Sequence, residues 1–324
     1  MSQTVTILGS GVVGLTVAAE LHKRGCNVTV IDPNGAPGAH GCSWWAGGML
    51  APDCEGEVAE ELIVRLGREA AEWWQSMGAE ITYQGSLVVA LGRDRQELDR
   101  FARRTENHKL LDQAGLAEVE PHLSERFSRA LYMDAEAHLN PRKTISGLRD
   151  RLSAEGVTFL NEGTATGQVI DCRGLAAKDA LPELRGVKGE MVILRAPDVE
   201  IARPVRLLHP RFPLYIVPRG DGVFMLGATQ IESEERDRAT VRSVVELLNA
   251  AYALHPAFGE AELLEIGVDA RPAFPDNLPR ITGKDGTIYV NGLFRHGYLL
   301  APAMARMVGE LVVDGKSPEV WHEA

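Results

Sequence analysis

The segment that decides the fold is residues 4–32, which read TVTILGSGVVGLTVAAELHKRGCNVTVID. Residues 5–8 are apolar and meet a glycine-rich turn at Gly9, and a helical pattern then runs over residues 12–24 until Gly25 stops it. Residues 28–31 form a second apolar run. The order strand, turn, helix, strand predicts the start of an open parallel sheet.

The turn of this unit has the spacing GSGVVG, in which each glycine has a separate task. Gly9 allows the tight turn, Gly11 lets the backbone approach a pyrophosphate, and Gly14 lets helix and strand pack closely. Asp32 ends the second strand 18 residues after Gly14, where a carboxylate accepts hydrogen bonds from ribose hydroxyls. Packing alone can also produce such a turn, with Asp32 as a turn former. Spacing and order together favour a bound dinucleotide, and they leave NAD and FAD open.

The remaining patterns predict a mixed α/β chain. Apolar residues recur at helical spacing from Val58 to Trp74, and a second helix is expected over residues 141–155. Strands are expected at residues 191–194, 214–217 and 223–226, with a hairpin loop at 218–222, and again at 287–290. A helix at 240–254 would bury Val241, Val244, Val245 and Leu248, and a last helix would start near Pro302. The middle of the chain is therefore predicted to be largely antiparallel sheet.

Composition restricts the class of protein. The chain has 324 residues, 45% of them hydrophobic and 24% charged, which is ordinary for a globular protein of about two domains. A net charge of -11 makes nucleic acid or an anionic membrane a poor partner, because both favour a basic surface. The four cysteines form no CxxC pair, so we expect no metal site and no disulfide framework. We expect a cytoplasmic protein, since the sequence has no export signal or long apolar run.

Residues 40–52, HGCSWWAGGMLAP, have neither a helical nor a strand period. A loop that crosses a pyrophosphate and runs under a flavin ring needs glycines for close approach and a hydroxyl that donates to phosphate. This stretch resembles the corresponding segment of the D-amino-acid oxidase-like flavoproteins, particularly the glycine oxidases of thiamine biosynthesis. Trp44 and Trp45 depart from the smaller residues usual in that family. They wall the pocket or pack against a helix, and packing is the simpler interpretation.

Three further segments resemble the same family, in the same order along the chain. They are YIVPR with GAT (residues 215–219 and 227–229), DARP (269–272) and NGLFRHGYLLAP (291–302). The resemblance implies a Rossmann-type FAD-binding domain with a second, mainly antiparallel-sheet substrate domain. The FAD-binding domain would comprise residues 1–82, 141–176 and 270–324, and the substrate domain residues 83–140 and 177–269.

The resemblance also assigns residues to the site. It implies that FAD contacts Gly9, Gly11, Val12, Val13, Gly14, Asp32, Pro33, Cys42, Ser43, Gly47, Gly48, Met49, His296, Gly297, Tyr298 and Leu299. Arg271 is expected to hold a substrate carboxylate in two parallel hydrogen bonds, with Tyr215 as a second donor and Arg295 contacting substrate or flavin. Without the resemblance, Arg271 and Tyr215 would be interpreted as structural residues. No side chain is predicted to act as acid or base, because hydride transfer from a neutral amine needs none.

The implied reaction is oxidation of glycine or another small amine to the imine, with O2 reduced to H2O2, in thiazole formation for thiamine. A sarcosine or D-amino-acid oxidase is the alternative within this class of enzyme. A flavin-bearing domain of a tRNA-modifying protein is an alternative from another class, which the charge of -11 opposes. An NAD-dependent dehydrogenase would leave residues 40–52 unexplained. The small amino-acid substrate and O2 are the expected partners, and a homodimer or homotetramer is compatible with the sequence.

Denaturing the yellow protein is predicted to release all of its flavin. Sarcosine-oxidase relatives attach flavin through a cysteine in the C-terminal loop, whereas no cysteine follows Cys172 here. The FAD is therefore expected to be noncovalent. Flavin absorbance of the supernatant and the pellet after acid precipitation measures this, and flavin that stays with the precipitated chain contradicts it.

Overall fold

The computed structural model describes residues 2–208 and 214–323, and three sheets organise these residues. The strands in the first half of the chain are β1 (Thr4–Leu8), β2 (Asn27–Ile31), β3 (Met49–Leu50), β4 (Ile81–Thr82), β5 (Ser86–Ala90), β6 (Lys109–Asp112), β7 (Arg129–Met133), β8 (Ala137–Leu139), β9 (Thr158–Leu160) and β10 (Gln168–Asp171). Those in the second half are β11 (Arg185–Arg195), β12 (Val205–Leu208), β13 (Leu214–Gly220), β14 (Val223–Gly227), β15 (Ile231–Glu232), β16 (Glu262–Ala273), β17 (Arg280–Lys284), β18 (Thr287–Asn291) and β19 (Trp321–Glu323).

Helices of very different length connect these strands. They are α1 (Val12–Lys23), α2 (Pro52–Glu55), α3 (Glu61–Gly67), α4 (Ala70–Ser76), α5 (Arg95–Arg104), α6 (Gln113–Val119), α7 (Pro121–Ser124), α8 (Pro141–Ala154), α9 (Val241–Leu254) and α10 (Gly297–Asp314). A 3-10 turn, Cys42–Trp45, precedes β3.

The first sheet has the strand order β19-β17-β18-β10-β1-β2-β9, and β1, β2, β9, β10 and β18 are parallel. The turn after β1 is as tight as the sequence predicts. Gly9 has φ +96°, and a Cβ there would lie 2.8 Å from the Cys172 carbonyl oxygen. A Cβ on Gly14 would lie 1.9 Å from the Gly9 carbonyl oxygen. Helix α1 therefore begins against the end of β1, and the predicted Rossmann-type unit is confirmed.

The second sheet has the order β15-β11-β14-β13-β12-β5-β7-β6, with β16 paired to β11. Its pairs are antiparallel except for β12 with β5. The predicted antiparallel middle of the chain is confirmed, with one correction to the hairpin. Strands β13 and β14 continue to Gly220 and from Val223, so the loop is Asp221 and Gly222 rather than residues 218–222.

The expected single helix from Val58 is wrong, because two helices occupy this segment. Helix α3 ends at Gly67, where the backbone lies so close to α10 that a Cβ would be 2.8 Å from the Leu299 side chain. Val58 precedes both helices and is 56% exposed. The apolar spacing thus continues across a break that a tertiary contact imposes.

The predicted buried face of α9 is also wrong. Val241 is 82% exposed and Val245 is 49% exposed, whereas Ser243, Leu247, Ala250, Ala251 and Leu254 are buried. Small side chains on the packed face let α9 lie close to the second sheet. The largest apolar residues therefore did not identify the inner face.

Helix α10 begins at Gly297, not near Pro302, which lies inside the helix. A proline has no N–H to donate to the carbonyl four residues earlier, which is Tyr298. The Tyr298 oxygen instead accepts a hydrogen bond of 2.8 Å from the indole Nε1 of buried Trp74. A side chain from α4 thus replaces the missing donor, and the helix tolerates the proline.

The predicted domain boundaries stay a prediction. Residues 1, 209–213 and 324 of those ranges lie outside the described residues. Within the described ranges, every helix is too short or too polar to cross a lipid bilayer.

Glu136→Gln is predicted to flatten the pH dependence of stability between about pH 4.5 and 7. Glu136 is 1% exposed and accepts hydrogen bonds from the Cys54 N–H and the Ser86 hydroxyl, and burial raises the pKa of this carboxyl from 4.5 to about 7. Because the folded-state pKa is raised, its stabilisation is present below pH 4.5 and lost as pH rises to about 7, by roughly 3 kcal/mol.

Urea unfolding at several pH values measures this effect. The amide of the variant can accept from the Cys54 N–H through its oxygen and donate to the Ser86 hydroxyl through its nitrogen, and it does not ionise, so its advantage over wild type should grow with pH. Glu162→Gln, at an exposed position, is the matched control. Equal pH dependence in the Glu136 variant and wild type would contradict the assignment.

Candidate cofactor and substrate site

A cavity of about 550 Å³ is lined by both large sheets. On one side lie the ends of β1 and β2 and the residues after β10, and on the other side lie β11, β13, β14 and β16. All the residues predicted for the site line this cavity except Gly14, which packs under the first turn instead. The fold thus brings together residues from position 9 to position 299.

One end of the cavity is built around the N-terminus of α1. The Val12 N–H donates a 3.0 Å hydrogen bond to the Ser43 hydroxyl, and no acidic side chain lies in the first turn of the helix. A Cβ on Gly11 would be 3.3 Å from that hydroxyl. Free N–H groups at a helix N-terminus, a hydroxyl and a bare glycine backbone suit a pyrophosphate.

Asp32 is oriented by its neighbours at the end of β2. One carboxylate oxygen accepts hydrogen bonds from the Ser10 N–H (2.7 Å) and hydroxyl (2.8 Å), and the other accepts from the Asn34 N–H (2.9 Å). The second oxygen also accepts a long bond of 3.4 Å from the Asn34 Nδ2, and a ribose hydroxyl would take the place of this amide. Ser10 and Asn34 also line the cavity but were not predicted.

The residues after β10 complete this end of the cavity. Cys172, Arg173 and Gly174 line it, and Arg173 is held by Asp171 and Asp179. The sequence prediction left this segment unassigned. The signal available for it was the short apolar run Val169–Ile170, which precedes Asp171 as the second strand precedes Asp32.

The loop that contains Ser43 and Gly47 is fastened to the second sheet through the two tryptophans. The Arg142 guanidinium lies 5.0 Å from the Trp44 ring and 4.9 Å from the Trp45 ring. It also makes two hydrogen bonds of 2.9 Å to Glu265 of β16. Trp44 and Trp45 therefore both line the cavity and pack on a helix residue, Arg142 of α8.

Of the described residues, four arginines line the cavity, and three of these are paired with carboxylates. Arg173 pairs with Asp171, Arg236 with Asp269, and Arg295 with Glu55. For Arg271, no carboxylate of residues 2–208 or 214–323 lies within 4.0 Å. The positive charge of Arg271 is therefore not compensated by any carboxylate in these ranges.

Arg271 is placed by β16 and by a glycine of β11. Its Nη1 donates a 3.1 Å hydrogen bond to the Thr229 carbonyl, and its guanidinium lies over Gly189, where a Cβ would be 2.2 Å from Nη2. Burial lowers the pKa of this guanidinium, which nevertheless stays charged at neutral pH. The remaining N–H groups donate to no other described residue, so a ligand can accept from them. Gly189 was not predicted, and only its position in the neighbouring strand reveals its role.

Arg295 belongs to a compact ionic cluster. Its Nη2 lies 2.6 Å from a carboxylate oxygen of Glu55, and the His296 Nε2 lies 2.8 Å from the same oxygen. Although burial acts to raise it, Arg295 and His296 hold the pKa of Glu55 well below its usual range. Glu55 lines the cavity and was missed by the sequence prediction. Its position directly after the loop, in α2, was the available signal.

Tyr215 lies in β13 and lines the cavity. Its hydroxyl is buried and has no hydrogen-bond partner in the part of the chain that the structure describes. Burial raises the pKa of this hydroxyl, and the Arg206 guanidinium lies 5.2 Å from the ring. The phenol therefore stays protonated and keeps its donor.

Comparison with known proteins gives a consistent result. The chain matches the family model described as "FAD dependent oxidoreductase" over residues 4–311. It is 50% identical over 322 residues to a Rhizobium etli protein with the provisional name thiamine biosynthesis oxidoreductase ThiO, covering 97% of this chain and 98% of that protein. It is 26% identical over 359 residues to the glycine oxidase of Pseudomonas aeruginosa, covering 98% and 96% of the two chains.

The fold is similar to a crystal structure of glycine oxidase from Geobacillus kaustophilus. The TM-score is 0.80 at 23% identity, and the match covers 98% of this chain and 97% of that chain.

Glu55→Gln is predicted to destabilise the protein by about 3 kcal/mol, because it leaves the largely buried Arg295 guanidinium without its counter-ion. Chemical denaturation at pH 7 measures the change. Glu61→Gln is the control, since Glu61 is 81% exposed and lies 3.7 Å from Arg65, and it should change stability by less than about 0.5 kcal/mol. Equal effects in the two variants would show that the cluster does not stabilise the fold.

Proposed function

This chain belongs to the family of FAD-dependent oxidoreductases, and on that basis we propose that it oxidises glycine or another small amine. The product is the imine, and O2 is reduced to H2O2. The resemblance drawn from the sequence is confirmed by the family match, and the relatives that carry glycine oxidase and ThiO names support this substrate class. By the same relationship we propose a role in thiazole formation for thiamine and a location in the cytoplasm. Assembly into a dimer or tetramer stays a prediction.

The residues at the first end of the cavity suit FAD. The pyrophosphate would be held by the first turn of α1 and the Ser43 hydroxyl, and a ribose by Asp32. When bound, FAD supplies a ring that accepts a hydride from the carbon next to the amine and is reoxidised by O2. The second end of the cavity, toward β11, β13 and β16, is left for the substrate.

The uncompensated guanidinium of Arg271 is the observation that carries the proposal. An amino acid presents a carboxylate, and a planar guanidinium binds a carboxylate in two parallel charge-assisted hydrogen bonds. With one N–H used by the Thr229 carbonyl, Arg271 retains enough donors for this geometry. Binding a carboxylate there also supplies the missing counter-ion.

Tyr215 and Arg295 are given different roles. The Tyr215 hydroxyl, which is buried without a partner among the described residues, is a second donor that orients the carboxylate without adding charge. Arg295 is already neutralised by Glu55, so it shapes the cavity and holds His296 rather than anchoring the substrate. Among the lining arginines the geometry therefore favours Arg271 as the anchor. No acid or base is required if the amine enters neutral.

Sarcosine and D-amino-acid oxidation is the second candidate, because these substrates present the same carboxylate and differ only in bulk. Gln230 lines the cavity near Arg271 and adds a polar amide to it. The tRNA-modifying alternative is not favoured. This chain matches the ThiO and glycine oxidase relatives over 98% and 96% of their length, and it has a net charge of -11.

The FAD-loaded protein is predicted to release H2O2 with glycine at a higher kcat/KM than with sarcosine or D-alanine. A coupled peroxidase assay over a panel of small amines measures this. A preference for sarcosine or D-alanine would select the second candidate. No peroxide from any of these amines would overturn the proposed function.

Arg271→Ala is predicted to lower kcat/KM for glycine roughly 10²- to 10³-fold, because two charge-assisted hydrogen bonds to the carboxylate are lost. The variant should keep its flavin, which absorbance of the purified protein reports. Arg195→Ala is the control, since Arg195 is exposed and pairs with Glu262 on the same sheet. An unchanged affinity for glycine would remove Arg271 from the site.

A further inference from the structure

A second arginine, in addition to Arg142, binds the loop of residues 42–49 from the side away from the cavity. Arg219, at the end of β13, donates hydrogen bonds to the carbonyls of Leu139 (3.0 Å), Ala46 (3.1 Å) and Gly47 (2.9 Å). Ala46 and Gly47 line the cavity, whereas Arg219 is not among its described lining residues. The guanidinium therefore touches the backbone of the loop from behind.

The charge of Arg219 is not compensated nearby. No carboxylate of the described ranges, 2–208 and 214–323, lies within 4.0 Å of it, and burial lowers its pKa to about 10. Burial and Arg219 together lower the pKa of the neighbouring His138 to about 4, so that ring is neutral at pH 7. Arg219 thus places one positive charge behind the loop at physiological pH.

The peptide groups of the loop orient their N–H donors away from this charge. In a planar trans peptide the N–H points opposite to the C=O. The carbonyls of Ala46 and Gly47 face Arg219, so the N–H groups of Gly47 and Gly48 point away from it. Neither N–H donates a hydrogen bond to any described residue. Two polarised donors on cavity-lining residues are therefore free for a ligand.

We propose that Arg219 is a positioning residue that aligns and polarises the 46–48 peptides so that they stabilise negative charge on the bound FAD ring. The inference rests on the proposed function. A hydride brings two electrons and one proton, so the ring that accepts it gains one negative charge. Preorganised N–H donors stabilise such developing charge more strongly in a site shielded from water. The cation behind them strengthens both donors without contacting the ring or the substrate.

Arg271 and Arg219 both lack a carboxylate partner among the described residues, and we assign them separate tasks. Arg271 faces the cavity and meets the charge that the substrate brings. Arg219 lies behind the loop and acts through the loop peptides on the negative charge that the cofactor gains. Removing Arg219 should consequently alter the redox equilibrium of bound FAD, whereas substrate anchoring should persist.

The test is the two-electron reduction potential of bound FAD in Arg219→Gln and Arg219→Lys. The Gln variant should disfavour reduction at least tenfold, which is a potential about 30 mV lower. The Lys variant, which keeps the charge, should stay near wild type. Arg195→Gln, with the same change in net charge at an exposed site, should show no shift. A Gln variant with the wild-type potential, or a Lys variant as low as Gln, would overturn the proposal.

A second pair of variants leaves Arg219 in place, in case its removal prevents folding. His138 is buried next to Leu139, whose carbonyl Arg219 contacts. His138→Glu should put a counter-ion beside Arg219 and lower the potential, whereas His138→Gln should not. Equal potentials in these two variants would overturn the proposal. Failure of wild type to bind FAD or oxidise any amine would instead refute the proposed function.

Discussion

The rest of the site depends on one positive charge, that of Arg271, which has no counter-ion among the residues that the structure describes. Isolating a guanidinium from water is costly, and proteins normally pair it. Three of the arginines that line the cavity follow this rule, and Arg271 does not. Its position is fixed by Gly189 of the neighbouring strand and by the Thr229 carbonyl. An anionic ligand would complete such an arrangement, and under the proposed function that ligand is the substrate carboxylate.

The loop of residues 42–49 connects the two sheets that build the cavity. Ser43 reaches the first turn of α1, and the tryptophan pair encloses Arg142, which binds Glu265 of the second sheet. Arg219 then reaches back from the second sheet to the loop carbonyls. These contacts come from distant parts of the chain, so the loop can be flat, glycine-rich and still rigid. Rigidity here would preorganise the N–H donors of Gly47 and Gly48 for a bound cofactor.

Local patterns were enough to predict the parts of the fold that depend on local chemistry. The spacing of Gly9, Gly11 and Gly14 predicted the turn correctly, because the φ of +96° at Gly9 and the close contact of Gly14 with the Gly9 carbonyl lie within the turn itself. The inner face of α9 was mispredicted because packing against the second sheet determines it. The start of α10 was mispredicted because the Trp74 indole bonds the Tyr298 carbonyl and so allows Pro302 to lie inside the helix. Glu55 had its position after the loop as a signal, but its pairing with Arg295, 240 residues away, had none.

A crystal structure of the FAD-loaded protein with bound acetate tests the role of Arg271 directly, because acetate carries the carboxylate without the amine. We expect acetate in the cavity with its two oxygens within hydrogen-bonding distance of the Arg271 guanidinium, while Arg295 keeps its ion pair with Glu55. Acetate bound at Arg295 instead, with Arg271 contacting only the Thr229 carbonyl, would contradict it.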